Sequence, residues 1–150
     1  EITVKQIPDQ FATNVKCVVL TVQQAMPLLG KGSSVIIIGS TASADPGPTM
    51  SIYGATKAAV RNMVRSWITE LHGTGIRINI VSPGPVNTAS LRAAFGDNAE
   101  EGIAFLTAKS PLGRIGEPEE ISSVVSFLAS DASSYVNGIE LFADGGASQT

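Results

Sequence analysis

Val35-Ile36-Ile37-Ile38-Gly39-Ser40 is an unbroken aliphatic run closed by a glycine and a serine. A short β-branched stretch without polar alternation predicts a strand buried on both faces, as in a parallel sheet. Downstream, from Ser51 to His72, the residues Val60, Met63, Val64, Trp67, Ile68 and Leu71 recur at three- and four-residue steps. That apolar stripe predicts a helix, and Gly73 and Gly75 end it. Ile76 to Val81 is a second strand candidate, closed by Ser82-Pro83-Gly84-Pro85. Strand, helix and strand in this order predict an α/β fold with a parallel sheet.

The flanks extend the pattern. Phe11, Val15, Val18, Val19, Val22 and Met26 give helical spacing from Pro8 to Leu29, and Gly30-Lys31-Gly32 stops it. Ala89 to Lys109 has weak helical character and many small residues, which leaves its shape open. Gly116-Glu117-Pro118-Glu119-Glu120 starts a helix, with proline in the first turn and acids facing the positive dipole end. Ile121, Val124, Val125 and Leu128 continue it. Gly138 to Ala143 predicts a last strand, and Asp144-Gly145-Gly146 turns away from it.

With 150 residues and no internal repeat, one domain is expected. Hydrophobic residues at 43% and charged residues at 15% suit a packed globular chain. The net charge of −3 and the lack of a basic cluster argue against nucleic acid as a partner. Val35 to Ile38 is far too short to span a membrane, and the first residues lack the apolar core of a secretory signal. Cys17 stands alone, so no internal disulfide is expected; a reducing, cytoplasmic setting fits. One cysteine and one histidine, His72, leave no ligand set for a zinc site, and no metal is expected. Cys17 reads as a small buried thiol. His72 reads as a partly exposed residue at a helix end.

In open parallel sheets, chemistry gathers beyond the carboxyl ends of the strands. Gly39-Ser40 and Ser82 to Thr88 lie there. Tyr53 and Lys57 stand one helical turn apart on one face of the predicted long helix. A free tyrosine titrates near 10 and is a weak acid or base at neutrality. A neighbouring ammonium favours the phenolate and brings the group closer to a useful range. Ser40 can hold a carbonyl or hydroxyl oxygen against the phenol.

Gly39-Ser40, the step from Ser40 to Tyr53, the run Tyr53-Gly54-Ala55-Thr56-Lys57-Ala58-Ala59, and Ile76-Arg77-Ile78-Asn79 leading into Ser82-Pro83-Gly84 resemble the short-chain dehydrogenase/reductase family. Pro111-Leu112-Gly113-Arg114, Phe127-Leu128-Ala129-Ser130-Asp131 and Asp144-Gly145-Gly146 agree with it. The nearest likeness is to compact bacterial NADP-dependent alcohol dehydrogenases and carbonyl reductases. The resemblance implies a doubly wound, Rossmann-like sheet and hydride transfer between NAD(P)(H) and a ketone or secondary alcohol. It implies Tyr53 as general acid or base, Ser40 as holder of the substrate oxygen, and Lys57 as partner of both the tyrosine and the nicotinamide ribose. Asn14 resembles the asparagine that holds a water relay to the lysine. Pro83, Gly84, Val86 and Thr88 resemble the loop meeting the nicotinamide. NADP(H) is preferred by likeness alone and NAD(H) is possible. A small carbonyl or alcohol substrate and a homodimer or homotetramer are further implications. Cys17 departs from the glycine common at that position.

The family's glycine-rich phosphate loop and the residue reading the ribose 2′ position are not found; nothing before Asn14 resembles G-x-G-x-x-G. The expectation is the carboxyl half of a Rossmann-like domain, with residues 1–150 lacking the first mononucleotide-binding half. The first strand would then expose an apolar edge, and the isolated chain is not expected to be a stable, active monomer. An alternative is a catalytically silent fragment or a subunit that works only with a partner. A related epimerase or dehydratase fits less well, because those relatives carry a larger substrate domain after this point.

Overall fold

The computed structural model describes residues 2–149. Three strands, β1 (Ser34–Ile38), β2 (Arg77–Pro83) and β3 (Glu140–Ala143), form a parallel sheet in that order. Ser34 pairs with Arg77 and Ile38 with Val81, while Ile80 pairs with Glu140 and Pro83 with Ala143. The helix α3 (Ser51–Glu70) crosses from β1 to β2, as the apolar stripe predicts.

Side-chain alternation along the strands assigns the two faces. Ile37, Ile78 and Ile80 share a core with Val60 and Val64 of α3 and with Val22 of α2 (Cys17–Ala25). The opposite face meets α6 (Pro118–Ala129), where Ser34 Oγ donates to the carbonyl of Leu128, itself fully buried. Helices on both faces make the doubly wound arrangement. Beneath them β2, the central strand, is buried from Ile78 through Ser82. β1 is at the sheet edge, and its last residue, Ile38, is 50% exposed. The expectation of burial on both faces therefore holds for β2 but only for Ile37 in β1.

The first predicted helix is continuous but not regular. Between α1 (Gln6–Phe11) and α2, residues Ala12–Lys16 form a π-turn, with the Cys17 amide bonded to the Ala12 carbonyl five residues back. The extra residue sits beside Asn14. Cys17 is exposed rather than buried, because it lies off the core stripe that Val15, Val18 and Val22 follow. His72 lies exposed in the turn after α3. Ala89 to Lys109, left open by its sequence, forms α4 (Ala89–Phe95) and α5 (Ala99–Lys109), neither of which buries a residue. Glu117 and Glu120 form a reciprocal capping box at the start of α6.

The Arg77 side chain reaches across to the end of α6. Its guanidinium donates to the carbonyls of Leu128 (3.1 Å), Ser130 (3.2 Å) and Val136 (3.4 Å) and to Ser133 Oγ (3.0 Å). The Leu128 and Ser130 carbonyls are among those the end of α6 leaves unpaired, and a cation suits the negative end of the dipole. Arg77→Met is therefore expected to lower unfolding stability by about 2–3 kcal/mol, read as a fall in the urea midpoint. An unchanged midpoint contradicts the clamp. Asn79, fully buried, donates to the Val136 carbonyl at 3.0 Å and accepts from the Ile139 amide at 3.1 Å, tying β2 to the approach of β3.

Candidate active site

β1 ends at Ile38, and Gly39 continues the ladder by donating to the Val81 carbonyl at 2.7 Å. Ser40 then caps a single 3-10 turn, Thr41–Ser43, its Oγ accepting from the Ala42 amide at 3.2 Å. This turn packs on the first turns of α3. The contact is close: a Cβ at Gly54 would lie 2.7 Å from the Ala42 carbonyl oxygen and 2.8 Å from Pro46 Cβ. Only glycine lets the turn carrying Ser40 settle so near Tyr53.

Lys57, one turn along α3 from Tyr53, extends to the strand end. Its Nζ donates to the Ile38 carbonyl at 3.1 Å and lies 5.7 Å from the centre of the Tyr53 ring. The ammonium is half-buried, and desolvation holds it below the usual lysine value. The unfolded chain holds this proton more tightly than the folded one. Burial of Lys57 costs stability at neutral pH, and the cost is relieved as pH rises toward 10.5.

Asn14 reaches α3 through Thr56 rather than Lys57. Its Nδ2 donates to Thr56 Oγ1 at 3.2 Å, and that hydroxyl donates to the Tyr53 carbonyl at 2.7 Å. The π-turn supplies this reach by bulging the helix at Asn14. Thr56 is fully buried, and its role was not legible in the sequence beyond membership of the Tyr53–Ala59 run.

The neighbouring strand end carries the second segment. Val86 forms a parallel bridge with Gly116: Pro85 O accepts from the Gly116 amide at 2.9 Å, and Gly116 O accepts from the Asn87 amide at 2.8 Å. In such a bridge Val86's own N–H and C=O point to the opposite side. They are the backbone pair a planar carboxamide needs, so the segment fits the nicotinamide end of a dinucleotide. Gly84 packs against Asp144, where a Cβ would approach within 2.7 Å, and Thr88 Oγ1 caps α4 through the Leu91 amide at 3.1 Å. Asp144 accepts from the amides of Gly146 and Ser148, and its carboxyl stays below the ordinary aspartate value despite partial burial.

A cavity of about 420 Å³ opens beside Tyr53, lined by Ile2, Gln6, Gln10, Thr49 and Ile52. Thr49 belongs to the loop after the Ser40 turn. The contribution of α1 had no signal in the sequence. Among the described residues, no helix is long and apolar enough to cross a membrane, and no cluster of three metal-ligating side chains occurs.

The family model described as enoyl-(acyl carrier protein) reductase matches residues 1–148. This chain belongs to the short-chain dehydrogenase/reductase family. It is similar to the oxidoreductase asL5 of Sarocladium schorii, 41% identical over 99% of this chain and 59% of the relative. A crystal structure of a short-chain dehydrogenase family protein from Francisella tularensis superposes with a TM-score of 0.93 at 28% identity, over 100% of this chain and 65% of that one. The angucycline C-6 ketoreductase LanV, solved with bound NADP, has a TM-score of 0.90 at 28% identity, over 100% of this chain and 57% of that one. The chain thus spans little more than half the length of the curated relative. Within this short-chain dehydrogenase/reductase segment, Lys57 joins the end of β1 to the Tyr53 ring, Ser40 caps the turn that follows that strand, and Pro83–Thr88 follows the end of β2.

Proposed function

We propose that the protein carrying this chain transfers hydride between NAD(P)(H) and a ketone or secondary alcohol, with NADP(H) the preferred cofactor. The observation that carries this reading is the half-buried Lys57 ammonium, held between the Ile38 carbonyl and the Tyr53 ring beside the turn that Ser40 caps. A buried cation costs stability, and its retention beside a phenol at a strand end fits a catalytic use. When bound, the nicotinamide supplies or accepts the hydride.

The side chains do the rest. Ser40 Oγ holds the substrate oxygen, and Tyr53 gives it a proton in ketone reduction or takes one in alcohol oxidation. Lys57 stabilises negative charge on the tyrosine oxygen when that proton leaves, and bonds the nicotinamide ribose. Asn14, fixed through Thr56, holds water leading to Lys57. Val86 binds the carboxamide through its backbone, and Pro83, Gly84 and Thr88 shape that loop. The substrate's carbon skeleton occupies the cavity walled by α1 and Thr49. LanV, a ketoreductase with bound NADP, supports both the carbonyl substrate and the cofactor preference.

The phosphate end of the cofactor needs a first mononucleotide-binding half, which would pair along the free edge of β1 at Ile36 and Ile38. Residues 1–150 expressed alone are expected to self-associate through that edge and to show no turnover. A monodisperse, active 150-residue monomer overturns this. A second copy would cover the apolar face shared by Val19, Met26, Trp67 and Leu71, where a shallow groove lies between α2 and α3. The activity itself is tested with the natural polypeptide, following NADPH and NADH oxidation across a panel of ketones. No oxidation of either cofactor by a folded protein overturns the proposal.

A further inference from the structure

A largely buried carboxylate lies beside the proposed centre, outside its reacting groups. Glu140 opens β3 on the face that α3 covers, opposite Ile80 in the register. Its side chain is only 10% exposed. One oxygen, Oε1, accepts from Ser43 Oγ at 2.5 Å and from Ser82 Oγ at 2.7 Å; the other lies 3.7 Å from the Arg61 guanidinium of α3. Ser43 closes the turn that Ser40 caps, its amide donating to the Ser40 carbonyl at 2.9 Å. Ser82 immediately precedes the Pro83–Thr88 loop, and its Oγ fills the space a Cβ at Gly39 would take. A single oxygen therefore joins the two strand-end segments that the proposed reaction needs in register.

We propose that Glu140 is a positioning residue, setting the spacing between the Ser40 turn and the Pro83–Thr88 loop through Ser43 and Ser82. This rests on the functional reading above. Two seryl hydroxyls satisfy the buried carboxylate on one oxygen and Arg61 balances its charge, so the group is held rather than merely tolerated. Ser82 stands on backbone fixed by the sheet, whereas Ser43 sits in the 3-10 turn outside it, so the carboxylate ties the turn to the strand. Removing the carboxylate frees the turn without unpacking the core around Val60 and Val64.

The test compares Glu140→Ala, Glu140→Gln and Ser43→Ala in the natural polypeptide, with two readouts. Amide hydrogen exchange over Thr41–Ala44 is expected to quicken at least ~10-fold in Glu140→Ala and Ser43→Ala. Turnover is expected to fall by about 10- to 100-fold, the scale set by small misplacements of reacting groups, with the substrate KM little changed. Glu140→Gln keeps an oxygen acceptor for both serines and is expected to restore exchange and turnover to near wild type. Ser43→Ala leaves the Arg61 and Ser82 contacts intact, so it decides the matter where Glu140→Ala fails to fold. Unchanged exchange in Ser43→Ala overturns the proposed link. Faster exchange with wild-type turnover overturns its catalytic purpose. Should Tyr53→Phe also retain turnover, the functional reading fails, while the exchange data still decide whether Glu140 holds the turn.

Discussion

Tyr53→Phe is expected to lower kcat for ketone reduction by about 10²- to 10⁴-fold, the range that a positioned general acid contributes. The substitution removes one hydroxyl and keeps the ring against which Lys57 rests, 5.7 Å from its centre. Cofactor affinity, measured by fluorescence titration in the natural polypeptide, is therefore expected to stay at the wild-type value. The separation of the two readouts is what identifies a proton-transfer role. A fold defect would lower both together, and a cofactor-binding role would lower affinity first. Lys57→Met supplies the complementary result. Losing a desolvated ammonium relieves a cost that is present at neutral pH and fades as pH approaches 10.5. The variant is expected to be nearly inactive yet not to lose thermal stability in proportion. Wild-type turnover by Tyr53→Phe would show that the phenol is not the proton donor, whatever the fate of the lysine variant.

Much of the frame was legible because strong periodicity meets clear punctuation. The stripe from Val60 to Leu71 turns toward the core, and the run at Ile76 is buried on both faces as the central strand. The region Ala89–Lys109 was not legible for the converse reason: α4 and α5 bury nothing, so no stripe was written into them. The π-turn at Ala12–Lys16 was hidden because the apolar spacing continues across it, and one extra residue hardly disturbs a three-or-four pattern. In the site, Tyr53, Lys57 and Ser40 were visible through their spacing and family likeness. Glu140 was not, since an acid at the start of a strand reads as solvated unless its partners from distant segments are known. Arg77 and Asn79 were visible as a motif, but their work, binding the backbone between α6 and β3, depends on contacts more than fifty residues away.

Gly54→Ala is the second large effect expected, and helix propensity alone does not foresee it. Alanine in a helix interior is favoured over glycine by roughly 0.5–1 kcal/mol. At this position the new Cβ would lie 2.7 Å from the Ala42 carbonyl oxygen and 2.8 Å from Pro46 Cβ, distances that demand movement. One obstacle is backbone and the other a proline ring, so neither yields by rotating a side chain. α3 is anchored by the buried Val60 and Val64, whereas the connection from Ser40 to Met50 runs over the surface from Ala44 onward. The connection therefore gives way, and it carries Ser40 away from Tyr53. A shift of this kind costs up to about 10²-fold in rate when it separates groups that must hold one oxygen together. The gain in propensity offsets part of the packing strain, so the thermal midpoint is expected to change little while kcat falls. Gly54→Val adds bulk at the same point and is expected to lose both. Turnover at the wild-type level in Gly54→Ala would mean that Ser40 does not need its present place beside α3, and with it the shared grip of Ser40 and Tyr53 on the substrate oxygen would be lost.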